Sequence, residues 1–134
     1  MDSIDQSIDQ FLSAPAYGVV GASDDTYKYG HKVYVCYLQN KRKAYPINPN
    51  AETVLGNACY KSIDSLPEPV ESISIITPPS VTEQVVDDAI AGGVKNIWMQ
   101  PGAESRNAIQ KAKSAGINVI AGGPCLLVVL GYRE

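Results

Sequence analysis

Apolar residues in this chain alternate between short unbroken runs and stretches with a three-to-four-residue period. Ile4, Ile8, Phe11 and Leu12 share one face of a helix predicted over Ser3 to Ser13, and Pro15 stops it. Tyr17 to Val20 reads as a buried strand that breaks at Gly21 into a small-residue loop. Gly30 to Asn40 reads as a helix with Val33, Tyr34, Tyr37 and Leu38 inward. Ala44 to Ile47 is a second strand, ended by Asn48-Pro49-Asn50. Residues 51–69 form an irregular connection with a short helix near Ile63 to Leu66.

The second half repeats the alternation. Ile73 to Ile76 reads as an apolar run suited to a strand covered on both faces. Thr77-Pro78-Pro79 ends it and opens a helix, with Ser80 as N-cap and Glu83 completing a capping box. Val81, Val85, Val86, Ala89 and Ile90 are its expected buried stripe, and Gly92-Gly93 closes it. A strand over Asn96 to Met99, a helix over Glu104 to Ala115 and a strand over Asn118 to Ala121 follow. Cys125 to Leu130 fits either a short helix or an added edge strand. Strands alternating with helices at this spacing predict an α/β fold, an open parallel sheet of about five strands with helices on both faces. Such a sheet binds ligands beyond the C-terminal ends of its strands, where these loops gather.

Length and composition narrow the class. A chain of 134 residues is expected to form one domain over residues 1–134, with an N-terminal helix over 1–14 and a core over 15–128. A hydrophobic fraction of 45% and a charged fraction of 19% fit an ordinary water-soluble globular protein. The net charge of −3 gives no support to nucleic-acid or membrane-surface binding. No apolar run reaches transmembrane length, and the start, Met-Asp-Ser-Ile-Asp-Gln, is unlike a secretory signal. Cys36, Cys59 and Cys125 are widely spaced and, with the single His31, form no zinc pattern; reduced thiols in the cytoplasm are expected, and no metal.

Candidate chemistry sits at the strand ends. Gly21-Ala22-Ser23 lets backbone N–H groups approach an anion ahead of a helix N-terminus; its alternative is a tight turn capped by Ser23 or Asp24. Neither G-x-G-x-x-G nor the P-loop pattern is present. Lys28 lies within reach of a phosphate there, or is solvated surface. Asn48-Pro49-Asn50 occupies the place of the ribose-binding carboxylate of dinucleotide dehydrogenases, and the first acid is Glu52. Thr77-Pro78-Pro79 suits a rigid wall or simple helix punctuation, and Gln100-Pro101-Gly102 a site or a turn. His31 is expected as a cap or at the surface, and Cys125 as a packing thiol. No G-x-S-x-G elbow and no marked acid–base pair appear, so no catalytic residues are assigned.

Seven short motifs occur in one order: Val-Val-Gly-Ala-Ser (19–23), Lys-Tyr-Gly (28–30), Tyr-Pro-Ile-Asn-Pro (45–49), Ser-Leu-Pro (65–67), Thr-Pro-Pro (77–79), Ile-Trp-Met-Gln-Pro-Gly (97–102) and Gly-Pro-Cys (123–125). Together, with Gly56, they resemble the small stand-alone CoA-binding proteins over about residues 15 to 128. These are similar to the N-terminal CoA-binding domain of the succinyl-CoA synthetase alpha subunit and of ADP-forming acyl-CoA synthetases. The resemblance implies a Rossmann-like domain holding coenzyme A or an acyl-CoA. Gly21, Ala22 and Ser23 would contact the CoA phosphates, with Lys28 and Gly30 close by. Asn48 and Pro49 would border the adenosine end, and Thr77, Pro78 and Pro79 the nucleotide and pantetheine. Gln100 and Gly102 would lie toward the thiol. Asn50 departs from the Lys that relatives often carry after Asn-Pro, and Gly-Gly-Pro-Cys departs from the synthetases' Gly-Pro-Asn-Cys.

The implied function is a non-catalytic CoA-binding module, carrier or sensor, with a protein partner or homo-oligomer left open. The phospho-histidine domain of the synthetases is not in this sequence. Two alternatives stand beside it: an enzyme acting on a CoA thioester or nucleotide-linked substrate through Ser23, His31 or Cys125, and an NAD(P)-binding protein.

Overall fold

The computed structural model describes residues 3–133. Met1, Asp2 and Glu134, the outermost residues of the expected 1–134 domain, lie outside the described residues. In chain order the elements are α1 (Ile4–Leu12), β1 (Tyr17–Val20), α2 (Tyr29–Gln39), β2 (Ala44–Ile47), the hairpin strands β3 (Thr53–Val54) and β4 (Asn57–Ala58), a 3-10 turn (Ile63–Ser65), β5 (Ser72–Ile75), α3 (Pro79–Ala91), β6 (Asn96–Met99), α4 (Arg106–Ser114), β7 (Asn118–Ile120) and a C-terminal π-helical turn (Leu127–Gly131).

Five strands pair in parallel in the order β2-β1-β5-β6-β7. The chain steps outward from β1 to β2, then crosses back to β5 on the other side of β1. Strand order therefore reverses between β1 and β5. The fold is a Rossmann-like α/β sandwich with helices on both faces. Ile73, Ile75, Ile97 and Met99 pack beneath α3 and α4 through Val86, Ala89, Ala108 and Ala112. Tyr17, Val19, Trp98 and Ile120 face the other way, under Phe11 of α1 and Val33, Tyr34 and Tyr37 of α2. Phe11 meets Trp98 edge-on at 5.3 Å between ring centroids, and Tyr17 stacks on Tyr37 at 4.8 Å.

Several local expectations are corrected. The run at 73–76 contains Ser74, and its strand begins at Ser72; both serines are fully buried. Each hydroxyl is satisfied, Ser74 by the Tyr37 hydroxyl at 2.6 Å and Ser72 by the Phe11 carbonyl at 2.9 Å, so burial carries no desolvation debt. Ser80 does not cap α3. Proline at the first helical position lets the helix start at Pro79, with Pro78 extended before it. Glu83 consequently makes no capping box and accepts a hydrogen bond from Ser105 Oγ at 2.7 Å. Ser105 caps α4 by accepting from the Ala108 N–H, which moves that helix start past Glu104. Val81, Ile90, Leu38 and Ile4 are exposed and not part of the buried stripes. Cys125 to Leu130 takes the helical alternative.

Candidate functional site

A parallel sheet brings every strand's C-terminal end to one edge, and the order reversal between β1 and β5 opens a crevice there. That crevice holds a cavity of about 640 Å³, a size usual for small-molecule sites. Its floor and walls come from the end of β1 (Val20, Gly21), the segment after β2 (Asn48–Asn50) and the segment after β5 (Ile76–Pro78). Tyr29 and Gly30 add the first turn of α2, and Val81 and Val85 add α3.

Close backbone packing shapes the crevice. Gly21 has φ +101, and a Cβ on it would lie 2.1 Å from the Ile76 carbonyl oxygen. A Cβ on Gly30 would lie 1.9 Å from the Gly21 carbonyl oxygen. Glycine at both positions lets α2 rest on the end of β1, and β1 on the end of β5. Asn48 then ties the loops together: its Nδ2 donates to the Ala22 carbonyl at 2.9 Å while its Oδ1 accepts from the Asn50 N–H at 2.9 Å. The Asp24 carboxylate accepts the Leu55 N–H at 2.7 Å, anchoring the β3–β4 hairpin beside the same loop.

Of the residues expected at a site, Gly21, Ser23, Lys28, Gly30, Asn48, Pro49, Thr77 and Pro78 line this one cavity. Ala22, Pro79, Gln100 and Gly102 do not. Ala22 is fully buried, and Pro79 is exposed at the start of α3. The Gly102 N–H donates to Glu104 Oε1 at 2.8 Å. Gln100 is fully buried behind Tyr29, its Oε1 accepting from the Tyr29 hydroxyl at 3.2 Å and the Leu126 N–H at 3.0 Å, while its Nε2 has no partner among the described residues. The Tyr29 hydroxyl also meets Cys125 Sγ at 2.5 Å, and burial pushes its pKa up, which keeps it a neutral phenol. His31 is neither cap nor surface residue: it is buried, with Nδ1 2.9 Å from the Ser23 carbonyl oxygen. Lys61 also lines the cavity and carries no motif in the sequence. It arrives because Tyr60 pairs with the end of β2, its N–H donating to the Pro46 carbonyl at 3.0 Å.

The chemistry of this lining fits an anion joined to an apolar body. The N-termini of α2 and α3 open onto the crevice, and no side chain caps either one. Uncapped N–H groups and the helix dipole favour negative charge there. Lys28 and Lys61 line the cavity, and neither is in an ion pair among the described residues. Val20, Ile63, Ile76, Val81 and Val85 supply apolar wall. No group of metal-ligating side chains occurs among the described residues, and no helix among them is long and apolar enough to cross a membrane.

Comparison with known proteins accords with this lining. Residues 16–131 match the family model described as CoA binding domain. The chain belongs to the CoA-binding domain family. It is 31% identical over 128 residues to an ADP-forming acetate–CoA ligase II of Archaeoglobus fulgidus, a match covering 87% of this chain and 19% of the ligase. It is likewise 31% identical over 91 residues to the alpha subunit of an ADP-forming acetate–CoA ligase II of Pyrococcus furiosus, covering 67% of this chain and 20% of that subunit. The chain thus spans about a fifth of the length of these curated relatives. Among solved structures, a hypothetical protein from Pyrococcus horikoshii superposes with a TM-score of 0.88 at 28% identity, covering 95% of this chain and 89% of that one. The dinucleotide-forming acetyl-coenzyme A synthetase 1 of Candidatus Korarchaeum cryptofilum, in complex with phosphate and ADP, gives a TM-score of 0.72 at 32% identity, covering 80% of this chain and 25% of the synthetase.

Proposed function

We propose that this chain is a single CoA-binding domain that holds coenzyme A or an acyl-CoA in the crevice at the β1/β5 reversal, as a non-catalytic module, carrier or sensor in the cytoplasm. One observation carries the proposal: in a member of the CoA-binding domain family, two helix N-termini with no side-chain cap and two lysines with no ion pair among the described residues line one cavity. The backbone at Gly21, Ala22 and Ser23, with Lys28 and the α2 N-terminus at Gly30, would hold the pyrophosphate. Asn48 and Pro49 would border the adenosine. Thr77, Pro78 and Pro79 would wall the nucleotide and pantetheine, with Gln100 and Gly102 toward the thiol. Bound CoA supplies a thiol that carries acyl groups as thioesters. The protein's part is to bind and orient it.

An enzyme acting on a CoA thioester is the alternative, and the contact between Cys125 Sγ and Tyr29, a cavity-lining residue, favours it. Burial pushes the Cys36 and Cys59 thiols up, away from the thiolate a nucleophile needs. Thioester turnover that disappears in Cys125→Ser would establish the enzyme over the carrier.

Thermal denaturation with CoA, acetyl-CoA, NAD, NADP and ATP tests the ligand class. A ligand at 100 times its Kd stabilises the fold by about 2.7 kcal/mol. CoA species are expected to raise Tm; stabilisation by NAD with none by CoA would overturn the proposal.

A further inference from the structure

The segment beyond β2 carries a charge pattern that CoA binding by itself does not specify. In wound sheets of this kind the ribose of a bound nucleotide is read near the end of the second strand. A carboxylate there takes a free hydroxyl, and a cation accommodates a phosphorylated ribose. Here Asn48, Pro49 and Asn50 line the cavity beyond β2, and the nearest acid, Glu52, does not. A cation does. Lys61 follows Tyr60, whose carbonyl accepts the Asn48 N–H at 2.9 Å and whose N–H donates to Pro46 at 3.0 Å, so its backbone is fixed to the end of β2. The second lining lysine, Lys28, stands on the β1 side at the start of α2. Asp88 is the lining carboxylate, and it belongs to α3, where Oδ1 accepts from Gln84 Nε2 at 3.3 Å. The two cations are therefore divided between two strand ends, as a ligand with two separate phosphate groups requires.

We propose that Lys61 recognises a phosphomonoester on the ligand's ribose, so that the site selects 3′-phosphorylated CoA over dephospho-CoA. The proposal rests on the CoA function above and adds the residue that sets this selectivity. Lys61 is exposed and in no ion pair among the described residues, so substituting it leaves the core intact. Isothermal titration of the wild type, Lys61→Met, Lys61→Glu and Lys28→Met with CoA and with dephospho-CoA tests it. The wild type is expected to bind CoA roughly tenfold tighter than dephospho-CoA, the scale of one charge-assisted hydrogen bond. Lys61→Met should bring the ratio to about one by losing affinity for CoA alone, and Lys61→Glu should invert it. Lys28→Met should weaken both ligands and keep the ratio. A ratio unchanged by both Lys61 substitutions, with CoA still bound, would overturn the assignment and leave CoA binding standing. A wild-type protein that binds neither ligand would overturn the CoA function itself.

Discussion

Gly21 and Gly30 show how a single residue can serve packing and a ligand together. Gly21 reads in the sequence as the place where backbone meets phosphate, and it lines the cavity in which that contact is proposed. The same residue also lets β1 end against the Ile76 carbonyl, so Gly21→Val is a test of folding before it is a test of binding. Gly30→Ala is expected to cost more than about 2 kcal/mol, because the added methyl falls on a backbone oxygen that no rotamer change can relieve. Urea denaturation of that variant measures the loss, and a change within about 0.5 kcal/mol would contradict it. Lys61 marks the limit of residue-level reading. Nothing in its flanking sequence signals a site, because its position depends on a bridge between Ile47 and Tyr60.

Among the elements, those built on periodicity were legible and those built on local turn chemistry were not. All five strands of the sheet form within a residue of where the sequence places them, and β1, β5 and β6, buried along their whole length, carry mostly apolar residues as a strand covered on both faces requires. The start of α3 was misread because Ser80-x-x-Glu83 looks like a capping box, while Pro79 at the first helical position takes precedence. Val81 keeps the helical spacing of its stripe yet is exposed; it faces the cavity, which the hydrophobic pattern cannot distinguish from core. The β3–β4 hairpin was missed for a different reason. Its tip is Leu55-Gly56, both at positive φ (53 and 76), the geometry for which Asn-Gly is the usual signal. Leucine in that conformation is strained, and it is held by the Asp24 carboxylate on its N–H. Leu55→Asn is therefore expected to raise stability by about 0.5–1 kcal/mol, since Leu55 is exposed and asparagine tolerates the left-handed region. Calorimetric Tm checks this, and a lowered Tm would contradict it.

At the scale of the whole molecule, one face of the sheet is rich in buried aromatic residues and the Cys36 thiol of α2 is buried as well, and together they set a pH limit. Burial pushes the Cys36 thiol from 9.0 to about 11, and it raises Tyr17, Tyr34 and Tyr37 in the same direction. Between those two pH values the unfolded chain has lost a proton that the folded chain keeps, so stability falls as pH rises. Cys36 alone accounts for a loss on the order of 2 kcal/mol across the interval. Urea midpoints recorded from pH 8 to about 11 should decline, less steeply in Cys36→Ala; a flat profile would contradict the buried protonated thiol. The site belongs to this scale too. Its loops were legible one by one, but their convergence depends on sheet order, and only the reversal between β1 and β5 makes a crevice of them. Gln100 and Gly102 fell outside the cavity because β6 ends one strand further from that reversal. The most direct test is a backbone-amide NMR titration with CoA. The amides of Gly21, Gly30, Asn50 and Thr77 are expected to shift together and saturate with a single Kd. Shifts confined to the β7 edge, or none at all, would contradict CoA binding in the β1/β5 crevice.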